Sequence, residues 1–252
     1  MYDFLQILRN FELNKILNIL PASGKLLEIG AGAGWQAKRF SEAGFDVDAV
    51  DIKISRYKDI RVWPVLEYDG HHLPFPDDSF DIIFSSSVLE HIPHLTEFQN
   101  EIHRVLKSTG QAIHVVPSPS WRIWTSLAHY PYLLKTATRS LFNIFSTKNT
   151  QYVSKNSIPI KNKYSMLDTI RRALYSVRHG ERGTTFSEIY YFSHLYWSKL
   201  FNNTDWIIDK RIPMRIIYSG YCVASTKKSL KIRQITSYFL GSSAIIYVLK
   251  QN

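Results

Sequence analysis

The stretch Leu27-Glu28-Ile29-Gly30-Ala31-Gly32-Ala33-Gly34 constrains the fold most, because an apolar run ends in Glu-x-Gly-x-Gly-x-Gly. This pattern predicts a strand that passes through a tight glycine turn into a helix. Positions without a Cβ let the backbone approach a ligand and adopt φ/ψ values closed to other residues. The amides at the start of the next helix are unpaired donors. A nucleotide-like cofactor fits such a turn. The dinucleotide fingerprint needs glycine at its first, third and sixth positions, but the sixth from Gly30 is Trp35, and no Gly-Lys-Ser/Thr follows as a P-loop requires. Glu28 sets a carboxylate beside the turn, which suits a cationic or hydroxyl-rich group and repels a pyrophosphate. The predicted ligand is therefore not a polyphosphate.

Phe45-Asp46-Val47-Asp48-Ala49-Val50-Asp51 has the alternation of a second strand and ends in an acid. At the tip of the second strand of an open α/β sheet, about 20 residues past the first glycine, a carboxylate is placed to accept from both hydroxyls of a ribose. Phe80 to Ser85 reads as a short buried strand, and the serines after it leave room for a bulky ligand. Pro93 and His94 start a predicted helix running through Leu95, Phe98, Ile102, Val105 and Leu106 and stopping at Gly110. Gln111 to Val116 is the predicted next strand.

These elements, together with Tyr68-Asp69-Gly70 and the run Asp78 to Ile92 (Asp-Ser-Phe-Asp-Ile-Ile-Phe-Ser-Ser-Ser-Val-Leu-Glu-His-Ile), resemble the class I S-adenosyl-L-methionine-dependent methyltransferases of the type 11 group over residues 24–117. The resemblance implies an α/β fold: a Rossmann-like, seven-stranded, mostly parallel sheet with helices on both faces. It implies that Glu28, Gly30, Gly32 and Gly34 frame the methionine part of the cofactor and that Asp51, with Ile52 beside it, holds the ribose. Asp69, next to Gly70, would meet the adenine amino group, and Ser85 and Ser86 would line the floor beside the sulfonium. A looser resemblance, carried by His179-Gly180-Glu181, the aromatic helix after it and Gly241-Ser242-Ser243-Ala244, points to bacterial methyltransferases of cell-surface glycans and lipid-linked intermediates.

The chain divides sharply by charge. Residues 1–116 hold 11 Lys/Arg against 16 Asp/Glu, whereas residues 117–252 hold 20 against 5, together with 22 of the 35 aromatic residues. A basic, aromatic half suits an anionic membrane interface or lipid phosphate, and also single-stranded nucleic acid. Trp121 to Ser146 reads as two short amphipathic helices broken at Pro131, dotted with Arg122, Lys135 and Arg139, either lying in a headgroup layer, packing on the sheet as an ordinary insertion, or covering the substrate as a lid. The predicted organisation is an N-terminal helix (1–23) and a methyltransferase domain (24–252), with an aromatic, basic helical insertion after the fifth strand (118–185). The N-terminal helix is a lid or packing element, or touches membrane; Asp3, Arg9 and Glu12 interrupt any signal-peptide core.

Residues 148–165 read as a polar loop. The turn Arg178 to Thr184 is the best substrate-contact candidate: His179 or Glu181 would deprotonate a hydroxyl, and Arg178 or Arg182 would hold a phosphate. His91 either relays a proton or shapes the pocket. No group of residues has metal-ligand spacing, so no metal is expected, and the single Cys222 fits a reducing, cytoplasmic setting, with the inner membrane face as the alternative location. No run of about 18 apolar residues occurs, so no spanning helix is expected. Phe186–Phe201, Trp206–Ile212, Ser229–Leu240 and Ala244–Leu249 read as helix, strand, helix and strand. The acceptor is expected to be a glycan or lipid-linked intermediate methylated on oxygen. A small phenol or quinone, an RNA, or cofactor binding without turnover are the alternatives.

Overall fold

The computed structural model describes residues 2–146, 174–221 and 230–252. The 148–165 loop and Cys222 lie outside these residues. Seven strands form one sheet: β1 (Lys25–Ile29), β2 (Asp46–Ile52), β3 (Leu66–Tyr68), β4 (Phe80–Ser86), β5 (Leu106–Pro117), β6 (Trp206–Pro213) and β7 (Ala244–Gln251). Their spatial order is β3-β2-β1-β4-β5-β7-β6, and only β7 runs against its neighbours. The order reverses between β1 and β4, and the carboxyl ends of strands at such a reversal open a ligand crevice.

The central strands are apolar on both faces because both are covered. On one face, α3 (Leu95–Val105) sets Phe98, Ile102 and Val105 against Leu27, Ile29 and Ile83, with Trp197 and Phe201 of α6 (His194–Asn202) beside them. On the other, α1 (Tyr2–Leu17) and α2 (Trp35–Glu42) bury Leu8, Leu13, Ile16 and Phe40 against Leu26, Ile82, Phe84 and Ile113. The N-terminal helix is thus part of the core.

Three boundaries differ from those read in sequence. The helix expected to reach Gly110 ends at Val105, and β5 starts at once with Leu106. Leu106 satisfies either pattern, and the extra residues are absorbed as a bulge: Phe80 faces Leu106 while Ile82 already faces Gln111. The pair of helices expected around Pro131 is a single helix, α4 (Pro119–Ser146). Pro131 and Leu127 lie on its exposed side, so the carbonyl deprived of its donor remains open to water. The expected helix 186–201 is split into α5 (Glu188–Tyr191) and α6, because the Ser193 side chain accepts from the Tyr196 amide and caps a new start. The last helix, α7 (Leu230–Leu240), falls where expected.

Candidate functional site

Strand β1 carries Glu28 into the sheet between Ala49 and Phe84, so its carboxyl is buried. Its Oε2 has no hydrogen-bond partner among the described residues. Burial pushes the carboxyl up to about 8, opposed by the Ala37 amide and reinforced by Asp51 nearby. The chain then turns: the amides of Gly30 and Ala31 both donate to Val50 O, at 2.9 and 3.0 Å. Gly30 has φ +71°, and a Cβ there would collide with Val88. Gly32 lies against the Tyr57 ring. Gly34 (φ +77°) sits at the N-terminus of α2 with no side chain capping it, which leaves the first amides of the helix as donors.

Asp51, one residue before the end of β2, lies beside this turn, nearly buried, with Oδ1 accepting from the Ile52 amide at 2.8 Å. Ile52 Cγ2 faces Gly70 on the neighbouring chain segment, so the ends of β2 and β3 form one wall of the crevice. Asp69 is engaged in its own turn: Oδ1 accepts from the His71 and His72 amides at 2.7 and 2.8 Å, and Oδ2 lies 3.2 Å from His72 Nδ1. Those bonds hold its carboxyl well below the ordinary range. His94 Nε2 donates to Gly70 O and stacks on His71, which fixes the turn.

The two serines part company. Ser85 points into the core, where its Oγ lies 2.8 Å from Nδ1 of fully buried His114, so its side chain does not line the crevice. Burial pushes His114 down to about 3, so the ring is neutral. Ser86 faces the other way, 3.4 Å from Arg9 Nη1 of α1. Arg9 also pairs with buried Glu12 at 2.9 Å, and Glu12 accepts from Tyr218 OH at 2.8 Å. Sequence reasoning treated Arg9 and Glu12 only as interruptions of an apolar run. Their i, i+3 spacing was the available signal of a pair, but α1 also carries Asp3, Gln6, Asn10, Asn14 and Lys15, so nothing marked that pair as inward-facing.

Across the crevice, the turn after β4 brings up Glu90 and His91, while the loop 178–184 brings His179. Glu90 is buried and accepts no hydrogen bond at either carboxylate oxygen among the described residues; its Oε1 lies 3.6 Å from His179 Nε2 and 3.9 Å from His91 Nε2. The two imidazoles meet edge to face at 4.7 Å, and Trp121 covers His179 at 4.6 Å. Burial pushes His91 below its ordinary value.

The loop is held by a fully buried ion pair. Glu188 Oε2 accepts from Arg122 Nη1 at 3.0 Å, and its Oε1 accepts from the His179 and Gly180 amides at 2.6 and 2.7 Å. Arg122 also donates to Val177 O and Ser176 Oγ. Arg122, left open in sequence between a headgroup-layer and a packed position, is therefore a core residue that positions His179. Glu181, the alternative to His179 as the expected base, is exposed and pairs with Arg178 at 3.4 Å. Arg182 donates to the carbonyls of Ile92 and Pro93, which ties the loop to the segment just after the Glu90-His91 turn.

Residues 27–114, which contain the glycine turn, Asp51 and the Glu90-His91 turn, match a family model described as a methyltransferase domain. Over that segment the chain is similar to a methyltransferase domain, in keeping with the S-adenosylmethionine cofactor that the sequence resemblance implies. An uncharacterized methyltransferase of Mycobacterium tuberculosis is 30% identical over 159 residues, 57% of this chain and 56% of that protein. One from Mycobacterium leprae is 30% identical over 160 residues, 57% of this chain and 52% of that protein. The chain thus spans about half the length of the curated relatives it matches. Among solved structures, an S-adenosylmethionine-dependent methyltransferase of Mesorhizobium loti superposes with a TM-score of 0.55 at 14% identity, covering 96% of this chain and 98% of that one. At that identity the likeness is one of fold. The crevice suits such a cofactor: a buried carboxyl with an unpartnered oxygen, a glycine-rich turn and an acid near the end of β2 line one side of the strand reversal.

Proposed function

We propose that this chain transfers a methyl group from S-adenosylmethionine to an oxygen of a glycan or lipid-linked acceptor at an anionic membrane surface. The observation that carries methyl transfer is Glu28, a buried carboxyl left with an open oxygen where the glycine turn and Asp51 converge. In this reading Glu28, Gly30, Gly32 and Gly34 hold the methionine end of the cofactor. Asp51 and Ile52 hold the ribose, and the Asp69-Gly70 turn borders the base, with Ser85 supporting Ser86 from within. When bound, the cofactor supplies a methyl group made electrophilic by its sulfonium. The protein's task is to align the acceptor and exclude water.

Val88 packs against Gly30, so the turn bearing Glu90 and His91 borders the cofactor loop directly. His91 and His179, with Glu90 behind them, are the groups placed to meet an acceptor hydroxyl. Glu181, paired at the surface, is left out of that role. The described parts of the insertion, 118–146 and 174–185, serve as the acceptor-side cover.

The membrane part is supported by an exposed apolar face. Ile123, Leu127, Tyr130 and Leu134 recur at helical spacing along α4, and Ile232, Ile235 and Phe239 along α7, with Leu134 68% and Phe239 84% exposed. Trp124 Nε1 donates to Leu240 O and joins the two helices. Neither helix contains an acid, and Lys135 and Lys231 accompany them. Aromatic and aliphatic side chains beside cations, without acids, suit the headgroup layer of an anionic leaflet. No described helix is long and apolar enough to cross a membrane. The reading therefore puts the protein peripherally at the cytoplasmic face.

The test combines labelled S-adenosylmethionine with lipid, glycan and RNA extracts. Label in a lipid-linked or glycan fraction supports the proposal, and label confined to RNA overturns the acceptor. Co-flotation with anionic vesicles should be lost in an Ile235→Glu, Phe239→Glu double variant. Equal flotation of that variant would overturn the membrane face.

A further inference from the structure

We propose that Glu90, His91 and His179 form a binding site for a divalent transition-metal ion of the zinc type. The site itself rests on geometry alone; its use in catalysis rests on the methyl-transfer reading above. One carboxylate oxygen and one nitrogen from each imidazole all lie within 4.8 Å of one another. Ligand atoms of a zinc site stand about 2.0–2.2 Å from the ion and hence about 3.3–3.6 Å apart in a tetrahedron. The 3.6 and 3.9 Å separations from Glu90 Oε1 need only small side-chain rotations to reach that spacing.

The second observation is the carboxylate. Glu90's side chain is 1% exposed, yet neither oxygen accepts a hydrogen bond among the described residues. A carboxylate in such surroundings is costly unless a cation or donors compensate it. Both imidazoles turn Nε2 toward it, and a shared cation would convert three mutually exposed lone-pair bearers into ligands.

The rest of the structure preorganises this set. The Glu181 amide donates to the Glu90 carbonyl at 2.9 Å, and the buried Arg122–Glu188 pair fixes the backbone on either side of His179. Two segments far apart in sequence are thereby locked face to face. Trp121 and Phe192 wall the His179 ring, whose side chain remains 35% exposed on the acceptor side. Three protein ligands with one open side are the arrangement of catalytic rather than structural zinc. Two imidazoles and one carboxylate favour Zn²⁺ or Co²⁺ over Mg²⁺ or Ca²⁺, which prefer oxygen shells. An ion there would act as a Lewis acid on the acceptor's hydroxyl.

The test uses the full chain freed of metal with a chelator, titrated with Zn²⁺ by calorimetry and with Co²⁺ by visible absorption. Glu90→Gln, His91→Asn and His179→Asn are treated alike, and S-adenosylhomocysteine is titrated into the same samples. The expected result is one equivalent of metal, a Co²⁺ band of four- or five-coordinate intensity, and affinity lowered by at least about 10- to 100-fold in each variant. Should Glu90→Gln fail to fold, the two histidine variants, at partly exposed positions, carry the test. Folded wild-type protein without metal binding, or unchanged affinity in both histidine variants, overturns the site. Retained S-adenosylhomocysteine binding then shows that the ion site alone has failed, whereas absent binding in wild type counts against the cofactor reading.

Discussion

Replacing Glu28 by Gln isolates the strongest pH linkage in the cofactor crevice. In the folded protein the Glu28 carboxyl titrates at about 8 because it is buried, whereas in the unfolded chain it titrates near 4.5. Between those values the folded state holds one more proton than the unfolded state. Stability contributed by the protonated form is therefore present at low pH and lost as pH rises through about 8. At 1.36 kcal/mol for each factor of ten, the whole span amounts to about 3–5 kcal/mol, of which about 3 kcal/mol falls between pH 5 and pH 8. Glutamine keeps the shape and removes the titration. Urea unfolding of both proteins at pH 5, 6, 7 and 8 gives the difference in stability, in which every other titrating group cancels. Wild type should lose about 3 kcal/mol relative to Glu28→Gln across that range. A difference independent of pH, or one that grows in favour of wild type as pH rises, would refute the burial argument.

His114 should show the opposite slope. Its folded value is pushed down to about 3 while an unfolded histidine titrates near 6.5, so the unfolded state takes the extra proton between them and stability falls as pH drops through that window. The full loss is about 3–5 kcal/mol, and His114→Gln should flatten the wild-type curve in urea unfolding between pH 6.5 and pH 4. Arg122→Met leaves Glu188 buried without its cation and should cost about 3–5 kcal/mol by denaturant unfolding. Wild-type stability in that variant would contradict the role of the pair.

What was legible in the sequence was local. The glycine turn could be read because Gly30 and Gly34 meet positive φ within a few residues of the strand that delivers them. The place of Asp51 near the tip of the second strand could be read because the strand's alternation runs from Phe45 up to it. Ser85 was misplaced because β4 is buried on both faces: its apolar run carries no alternation to show which way each side chain points. Arg122 could not be placed at the surface or in the core because its partner, Glu188, is far along the chain, beyond α4. The same distance hid the meeting of Glu90 with His179. His91 and His179 were each singled out, but only tertiary structure joins them to a carboxylate. Pro131 suggested a break that an exposed helical position does not require.

The account stands most directly on calorimetric titration of the purified chain with S-adenosylmethionine and S-adenosylhomocysteine, repeated with Asp51→Ala. One-to-one binding is expected, weakened in the variant by about 1–3 kcal/mol, the cost of leaving charged hydrogen bonds unmade. Absence of heat from both compounds, or equal affinity in Asp51→Ala, would contradict the assignment of the crevice.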